Sequence, residues 1–422
     1  MDSSMDSNNS FHSPVENASP EARAAWQFEK IMHVAGKAAE ASGEFRSRLA
    51  AAAIDLRDIR TLDDFARIPV LRKKNLLGLQ QEKGLDWLLT AAPGNLSRIY
   101  QSPGPLYDPE GREQDYWGWT EGFRAAGFRT GDLVQMTFSY HLTPAGLMLE
   151  EPLREIGCAV IPAGPGNTPA QAQLMTSLPV TGFVGMTSYL KVIAEHARNA
   201  GLDLRKDFNL RVAFVAAERL PESLRSEVEE AFGMRVRQGY GTADVGCIAY
   251  ECAELGGMHL SSRCHVEICD PHTGQPLPMG ETGEVVVTPH TLSYPLVRFA
   301  TGDLSRMVDT PCTCGRTAPK LAGILGRVDD TAKVKGQFIY PAQVAEVVRT
   351  FPQIARHQVV ITNDKGSDWL QLFLQLDGPL DHAEFIAAFT GKIKLRPALH
   401  VLSGGEALPE DCPPLVDKRT YE

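Results

Sequence analysis

Two short segments bring thiols and an imidazole into metal-ligand spacing. Cys252 and His259 have six residues between them, and Cys312-Thr313-Cys314-Gly315 follows later in the chain. Three thiolates and one imidazole complete a tetrahedral set for zinc. With no open coordination position, such a metal is structural rather than catalytic. The remaining thiols divide between core residues and nucleophiles. Free cysteine is a common core residue, whereas a reactive thiolate needs a base or a helix N-terminus beside it. Cys247 and Cys158 are the two to test on that score. Three further segments concentrate polar groups next to glycine: Tyr240-Gly241-Thr242-Ala243-Asp244, Arg298-Phe299-Ala300-Thr301-Gly302-Asp303-Leu304, and Gly326-Arg327-Val328-Asp329-Asp330, which leads to Lys333-Val334-Lys335-Gly336-Gln337. Taken singly, Gly-Asp and Asp-Asp pairs are turn chemistry.

The elements that position these residues are readable from periodicity. Residues 20–84 carry apolar residues at helical spacing in Ala-, Glu- and Arg-rich windows. From about residue 97 to 300, β-branched runs such as LVQMTF, CAVIPAG, TGFVGM, LRVAFVAA and VRQGYG alternate with amphipathic helices. The helices are expected over 147–156, 189–199 and 221–232. That alternation predicts an α/β fold whose mostly parallel sheet is covered on both faces. Ligands in such sheets bind at the carboxyl ends of the strands. CHVEICD, GEVVVTP and LVRFATGDLSRM are separated by turn residues and predict a β-rich subdomain. The expected division is a disordered tail over 1–22, a large domain over 23–326, and a small, mobile α+β C-terminal lobe over 327–422.

Composition bounds the function. The 422 residues are 43% hydrophobic and 22% charged, which is globular. A formal net charge of −10 argues against a general nucleic-acid binder. No run of about 18 apolar residues is present, so no membrane span is expected. The Ser/Asn/Pro-rich start has no apolar core, and no signal peptide is expected from it. Eight cysteines in a chain this long do not make a disulfide scaffold, and cytoplasm is the expected compartment.

The three glycine-containing segments, in this order and spacing, resemble the adenylate-forming superfamily, and specifically its phenylacetate-CoA ligase branch. IPVLRKKNL near residue 70 and GMTSYL at 185–190 add to the resemblance, which runs from about residue 25 onward. The resemblance implies that Tyr240 stacks on adenine and that Ala217-Glu218 is a second nucleotide contact. It implies that Asp303 binds ribose hydroxyls, with Arg327 beside it as a cation for ribose or phosphate. Asp329 corresponds to a hinge, and Lys335-Gly336 to the lining of a pantetheine tunnel where a side chain at the glycine would block passage. Direct attack by a pantetheine thiol needs oriented donors for the oxyanion, and Thr242 with the backbone N–H groups of Gly241–Asp244 are the candidates. Tyr140, His141, Ala163 and Gly164 belong to loops that line the acyl pocket, with His141 a candidate base.

The departures from that pattern all fall on ATP. The segment Tyr100–Gly111 stands where a Ser/Thr/Gly loop grips a triphosphate. It contains three prolines and no lysine, and it places Asp108 and Glu110 toward the polyanion. The hydroxyl residue expected three positions after Tyr240 is Ala243, and the magnesium-side glutamate is Asp244. The basic run that carries a late lysine is replaced by acids and prolines over 408–418, with only Lys418 to substitute. The first expectation is therefore transfer of a benzoate- or anthranilate-like acyl group from its coenzyme A thioester to an acyl carrier protein. An ATP- and magnesium-dependent aryl-CoA ligase working through an acyl-AMP is the second. A non-catalytic acyl-CoA-binding protein is the third.

Overall fold

The computed structural model describes residues 11–102, 106–328, 332–334, 337–364, 367–403 and 407–419. These fall into two units, Met1–Thr301 with Ser305–Ile324, and Gly302–Leu304 with Leu325–Glu422.

The first unit is organised by a nine-stranded sheet. Five strands run parallel in the spatial order Ala159–Pro162, Leu133–Met136, Gly182–Gly185, Val212–Val215 and Arg235–Thr242. Gly246–Tyr250, Met258–Leu260, Lys320–Leu321 and Met307–Val308 extend it antiparallel. Period-2 alternation explains why both faces are covered. Val134, Met136, Val184, Val212 and Phe214 pack into one cluster with Phe123, Leu149 and Leu153. Phe183, Ala213, Val215 and Val236 pack into another with Leu190, Ile193 and Val228. The covering helices include Ala145–Ile156, Thr187–Asn199 and Glu222–Phe232, the three that the periodicity predicts. Thr120–Ala126 and Thr168–Ser177 are helices that it did not predict. A second sheet, in the order Leu71–Arg72, Phe299–Ser305, Gly283–Pro289 and Cys264–Cys269, is the expected β-rich subdomain.

The lead-in differs from expectation. From residue 11 it is packed rather than disordered. Pro14–Asn17 is a 3-10 turn capped by Ser13, and Glu16 within it is buried. The reason is a long-range ion pair, Arg316 Nε to Glu16 Oε2 at 2.8 Å, whose partners are too far apart in sequence for composition to reveal it.

The second unit is α+β. Its sheet has the order Ala398–Val401, Ser367–Leu376, Ile354–Asp364 and Leu415–Asp417. Helices Pro341–Arg349 and His382–Ile393 supply Val344, Phe385 and Phe389 to a core with Val359, Leu372 and Leu374. Gly326–Arg327 pairs antiparallel with Asp303–Leu304. Among the described residues no helix is long and apolar enough to cross a membrane.

Candidate functional site

The antiparallel end of the large sheet assembles the metal-ligand residues. Cys252 follows the strand Gly246–Tyr250, His259 lies in Met258–Leu260, and Cys312 and Cys314 lie in the loop before Lys320–Leu321. Their ligand atoms all lie within 4.8 Å of one another. Cys252 Sγ is 3.6 Å from Cys312 Sγ, and Cys314 Sγ is 3.5 Å from His259 Nε2. Tetrahedral zinc with ordinary Zn–S and Zn–N bonds sets its ligands about 3.4–3.8 Å apart, whereas a disulfide would need about 2.05 Å. The N–H of Arg316 points to Cys314 Sγ at 3.5 Å, as in a turn wrapped around a thiolate. The donor set therefore fits a closed tetrahedral metal.

The Tyr240–Asp244 segment lies where the parallel part of the sheet turns into its antiparallel part. Gly241 is required there, because a Cβ would sit 2.1 Å from the Gly246 carbonyl oxygen and 2.6 Å from the Trp119 ring. Tyr240 is buried and its hydroxyl lies 3.3 Å from Thr301 Oγ1. Thr242 Oγ1 accepts a bond from the Val245 N–H at 3.2 Å, which fixes the turn. Asp244 is buried and its Oδ2 is bound by Lys73 Nζ at 2.6 Å. Lys73 was missed by the sequence reading, although it lies within the IPVLRKKNL segment. Ala217 adopts a left-handed φ of 70° after the strand Val212–Val215. Glu218 accepts two bonds from Ser188, one from its N–H and one from its hydroxyl, each 2.7 Å. A carboxylate at this first turn of the helix Thr187–Asn199 satisfies an orphan donor and the helix dipole.

In the second unit Arg327 Nη1 is 2.8 Å from Asp303 Oδ1. Asp303 is mostly buried, and the arginine is half exposed. Asp329, Lys335 and Gly336 lie outside the described residues. Lys418 is exposed just past the strand Leu415–Asp417.

The segment expected to face phosphate forms a hairpin of Arg98–Ser102 and Leu106–Glu110. Its acids do not project as expected. Glu110 is buried, with Arg98 Nη1 and Tyr100 Oη each donating to it at 2.6 Å. Its charge is thus matched within the hairpin and does not face a polyanion. Asp108 is buried too, with Ser102 and Lys73 the neighbours that ease its charge. Burial, and after it the nearby Asp244, push its carboxyl up to about 7. The sign follows directly. Between the unfolded value near 4 and the folded value, the native state holds a proton that the unfolded chain has lost, so stability falls as pH rises through that window. Asp108→Asn is therefore expected to stabilise the protein by about 1–3 kcal/mol at pH 8 and to change little near pH 4. Urea midpoints measured at the two pH values check this, and equal midpoint shifts at both would refute it.

The loops expected to line an acyl pocket follow the strands Leu133–Met136 and Ala159–Pro162. Tyr140 donates its hydroxyl to Glu150 Oε2 at 2.6 Å, which ties the loop to the helix Ala145–Ile156. His141 is exposed. Ala163 is half-buried, and Gly164 is buried at φ 66°, with its N–H bound to the Met136 carbonyl and its own carbonyl bound by Gln171. Cys247 is not placed as a nucleophile. It lies 2% exposed in a fully buried strand, and burial holds its thiol well above the usual range. Cys158 is likewise pushed up, to about 11, first by burial. Neither thiol is a thiolate near neutral pH.

Comparison with known proteins places this geometry. Residues 133–293 match the family described as AMP-binding enzyme. The phenylacetate-coenzyme A ligase of Thermus thermophilus is 30% identical over 369 residues, covering 84% of this chain and 82% of that protein. The enzyme of the same name from Aromatoleum evansii is 28% identical over 86% of this chain and 84% of its own length. A crystal structure of 2-hydroxyisobutyryl-CoA ligase, in an open conformation with 2-HIB-AMP and CoA, superposes with a TM-score of 0.87. That likeness covers 97% of this chain and 95% of the other at 22% identity, and it speaks for the fold alone. Agreement over more than four-fifths of the Thermus protein, together with the ordered segments at Tyr240, Asp303 and Arg327, shows that the chain belongs to the phenylacetate-CoA ligase branch of the AMP-binding, adenylate-forming enzymes.

Proposed function

We propose that this protein is an enzyme of aromatic acyl thioesters, with coenzyme A as the thiol carrier. The observation that carries the reading is the similarity to phenylacetate-CoA ligases along most of both chains. Those relatives support an acid–thiol ligase as the first form: an aromatic carboxylate attacks the α-phosphate of ATP and releases pyrophosphate, and the thiol of CoA then displaces AMP from the acyl-AMP. Tyr240 and Ala217-Glu218 would hold the adenine, Asp303 and Arg327 the ribose and phosphate, and Thr242 with the neighbouring N–H groups the oxyanion. Tyr140, Ala163 and Gly164 would bound the aromatic group. Lys335 and Gly336 would line the approach of the pantetheine arm.

A second form has its own observation. Asp244, the acid on the magnesium side, is buried in an ion pair with Lys73, and Ala243 brings no hydroxyl to an α-phosphate. With three prolines in the phosphate loop, this favours a protein that takes a ready-made aryl-CoA and passes the acyl group to the pantetheine thiol of an acyl carrier protein. Because Cys247 and Cys158 are buried thiols, that transfer would be direct, with no acyl-enzyme. The Cys252, His259, Cys312 and Cys314 set is read as a structural zinc site in either form, and the cytoplasm as the setting.

ATP–pyrophosphate exchange with a panel of benzoate-like acids separates the two forms. Robust exchange establishes the ligase and removes the transferase. No exchange, together with acyl transfer from aryl-CoA to a phosphopantetheinylated carrier protein, establishes the reverse. Absence of both, with aryl-CoA binding retained, would leave only a binding protein.

A further inference from the structure

We infer that residues 11–18 are an outer shell of the Cys/His cluster, so that metal occupancy and docking of this N-terminal strap are one linked equilibrium. The inference rests on the zinc reading above and adds to it a regulator within the chain.

The geometry runs from ligand to strap without a gap. The Cys312–Cys314 turn continues into Arg316, whose N–H points to Cys314 Sγ. The Arg316 guanidinium is buried between two rings, Phe11 at 5.1 Å and Tyr250 at 5.8 Å, and is bound by Glu16 at 2.8 Å. The Thr317 N–H donates to the Glu16 carbonyl at 2.9 Å, and its hydroxyl donates to the Ala18 carbonyl at 2.5 Å. Arg23 closes the strap from the other side, donating to the carbonyls of Val15 and Glu16 and to Thr317 Oγ1. Within the strap only Val15 and Glu16 are buried. It is held by Arg23 and by Arg316 and Thr317, and the last two directly follow the ligand pair Cys312 and Cys314 in sequence.

Two consequences follow from linkage. A metal that fixes the loop stabilises the docked strap, and by reciprocity the docked strap raises metal affinity. Outer-shell groups of metal sites commonly contribute a factor of about 10–100 in affinity. Glu16 is the handle. Replacing it by glutamine leaves the Arg316 guanidinium buried without its carboxylate, beside thiolates that the guanidinium helps to hold.

The test uses the full chain loaded with zinc, and cobalt where absorbance is read. Zinc affinity is measured by competition with a chromophoric chelator in the wild type and in Glu16→Gln. Strap release is measured as tryptic cutting after Arg23, the first Lys or Arg in the sequence and a buried one, relative to cutting after the exposed Lys394. The expected result is zinc binding about 10–100-fold weaker in Glu16→Gln. Stripping zinc from the wild type should raise cutting after Arg23 by about an order of magnitude, with reversal on adding zinc back. Should Glu16→Gln fail to fold, the wild-type stripping experiment stands alone. Tetrahedral cobalt or zinc uptake with unchanged affinity in Glu16→Gln and unchanged cutting after Arg23 overturns the strap and leaves the metal site in place. No uptake of either metal by the wild type overturns both.

Discussion

A chain with Arg298 replaced by methionine is expected to lose about 3–5 kcal/mol of folding stability. Arg298 is only 1% exposed. Its guanidinium makes a two-point pair with Glu267, at 2.9 and 3.1 Å, and donates to the carbonyls of Ala66, Ile68 and Gly274. One side chain thus fastens the strand Phe299–Ser305 side of the β-rich subdomain to the chain leading into Leu71–Arg72. Methionine fills a similar length but leaves Glu267 as an uncompensated buried charge and three carbonyls unpaired. Removing the charge as well, in Arg298→Met with Glu267→Leu, should recover part of the loss, because replacing both partners is much less costly than breaking the pair. Urea unfolding of the three chains decides it. A loss below about 1 kcal/mol for the single variant would mean that the buried pair contributes nothing.

Asp303→Ala separates the two chemistries by size of effect. If the protein forms an aroyl-AMP, the Asp303 carboxylate accepts ribose hydroxyls. Two charge-assisted bonds of that kind are worth about 1.5–3 kcal/mol each, so aroyl-AMP formation should fall by roughly 10²–10⁴-fold. If the protein only moves an acyl group between two pantetheine thiols, no AMP ribose is present during the step, and transfer should change by less than about threefold. The fold should tolerate the change. Arg327, its partner at 2.8 Å, is half exposed, and water can replace such a pair at a cost of about 0–1 kcal/mol. Parallel assays of ATP-dependent and CoA-dependent activity, with a thermal melt on the same sample, give the answer. A hundredfold loss of carrier-protein transfer in a stable Asp303→Ala would contradict this account.

The alternating strands and amphipathic helices of the large unit were legible because burial on two faces writes itself into the order of residues. Val212–Val215 is the clearest case, with Val212 and Phe214 facing one cluster and Ala213 and Val215 the other. The Cys/His cluster was half legible, as two closely spaced pairs, Cys252 with His259 and Cys312 with Cys314, whose meeting at the antiparallel end of the sheet only the structure shows. Side-chain direction within loops was not. Asp108 and Glu110 look like exposed acids until the hairpin register sets Arg98 directly across from Glu110 and turns both acids inward. Cys247 looks like an active-site thiol until the strand Gly246–Tyr250 is seen to be buried throughout. The ion pairs Lys73–Asp244 and Arg316–Glu16 join residues 171 and 300 positions apart, a coupling that no local pattern encodes.

The strand Phe299–Ser305 has a bearing on how this enzyme can be taken apart. Its first three residues belong with the first unit, Gly302–Leu304 with the second, and Ser305 with the first again. A gene fragment stopping at Ile324 would carry Gly302–Leu304 with their hydrogen-bonding edge toward Gly326–Arg327 bare, which invites aggregation. A fragment starting at Leu325 would lack three of its own residues. Grafting the C-terminal part of a relative onto this chain therefore calls for an exchange inside the other half as well, at the glycine and aspartate of a single strand.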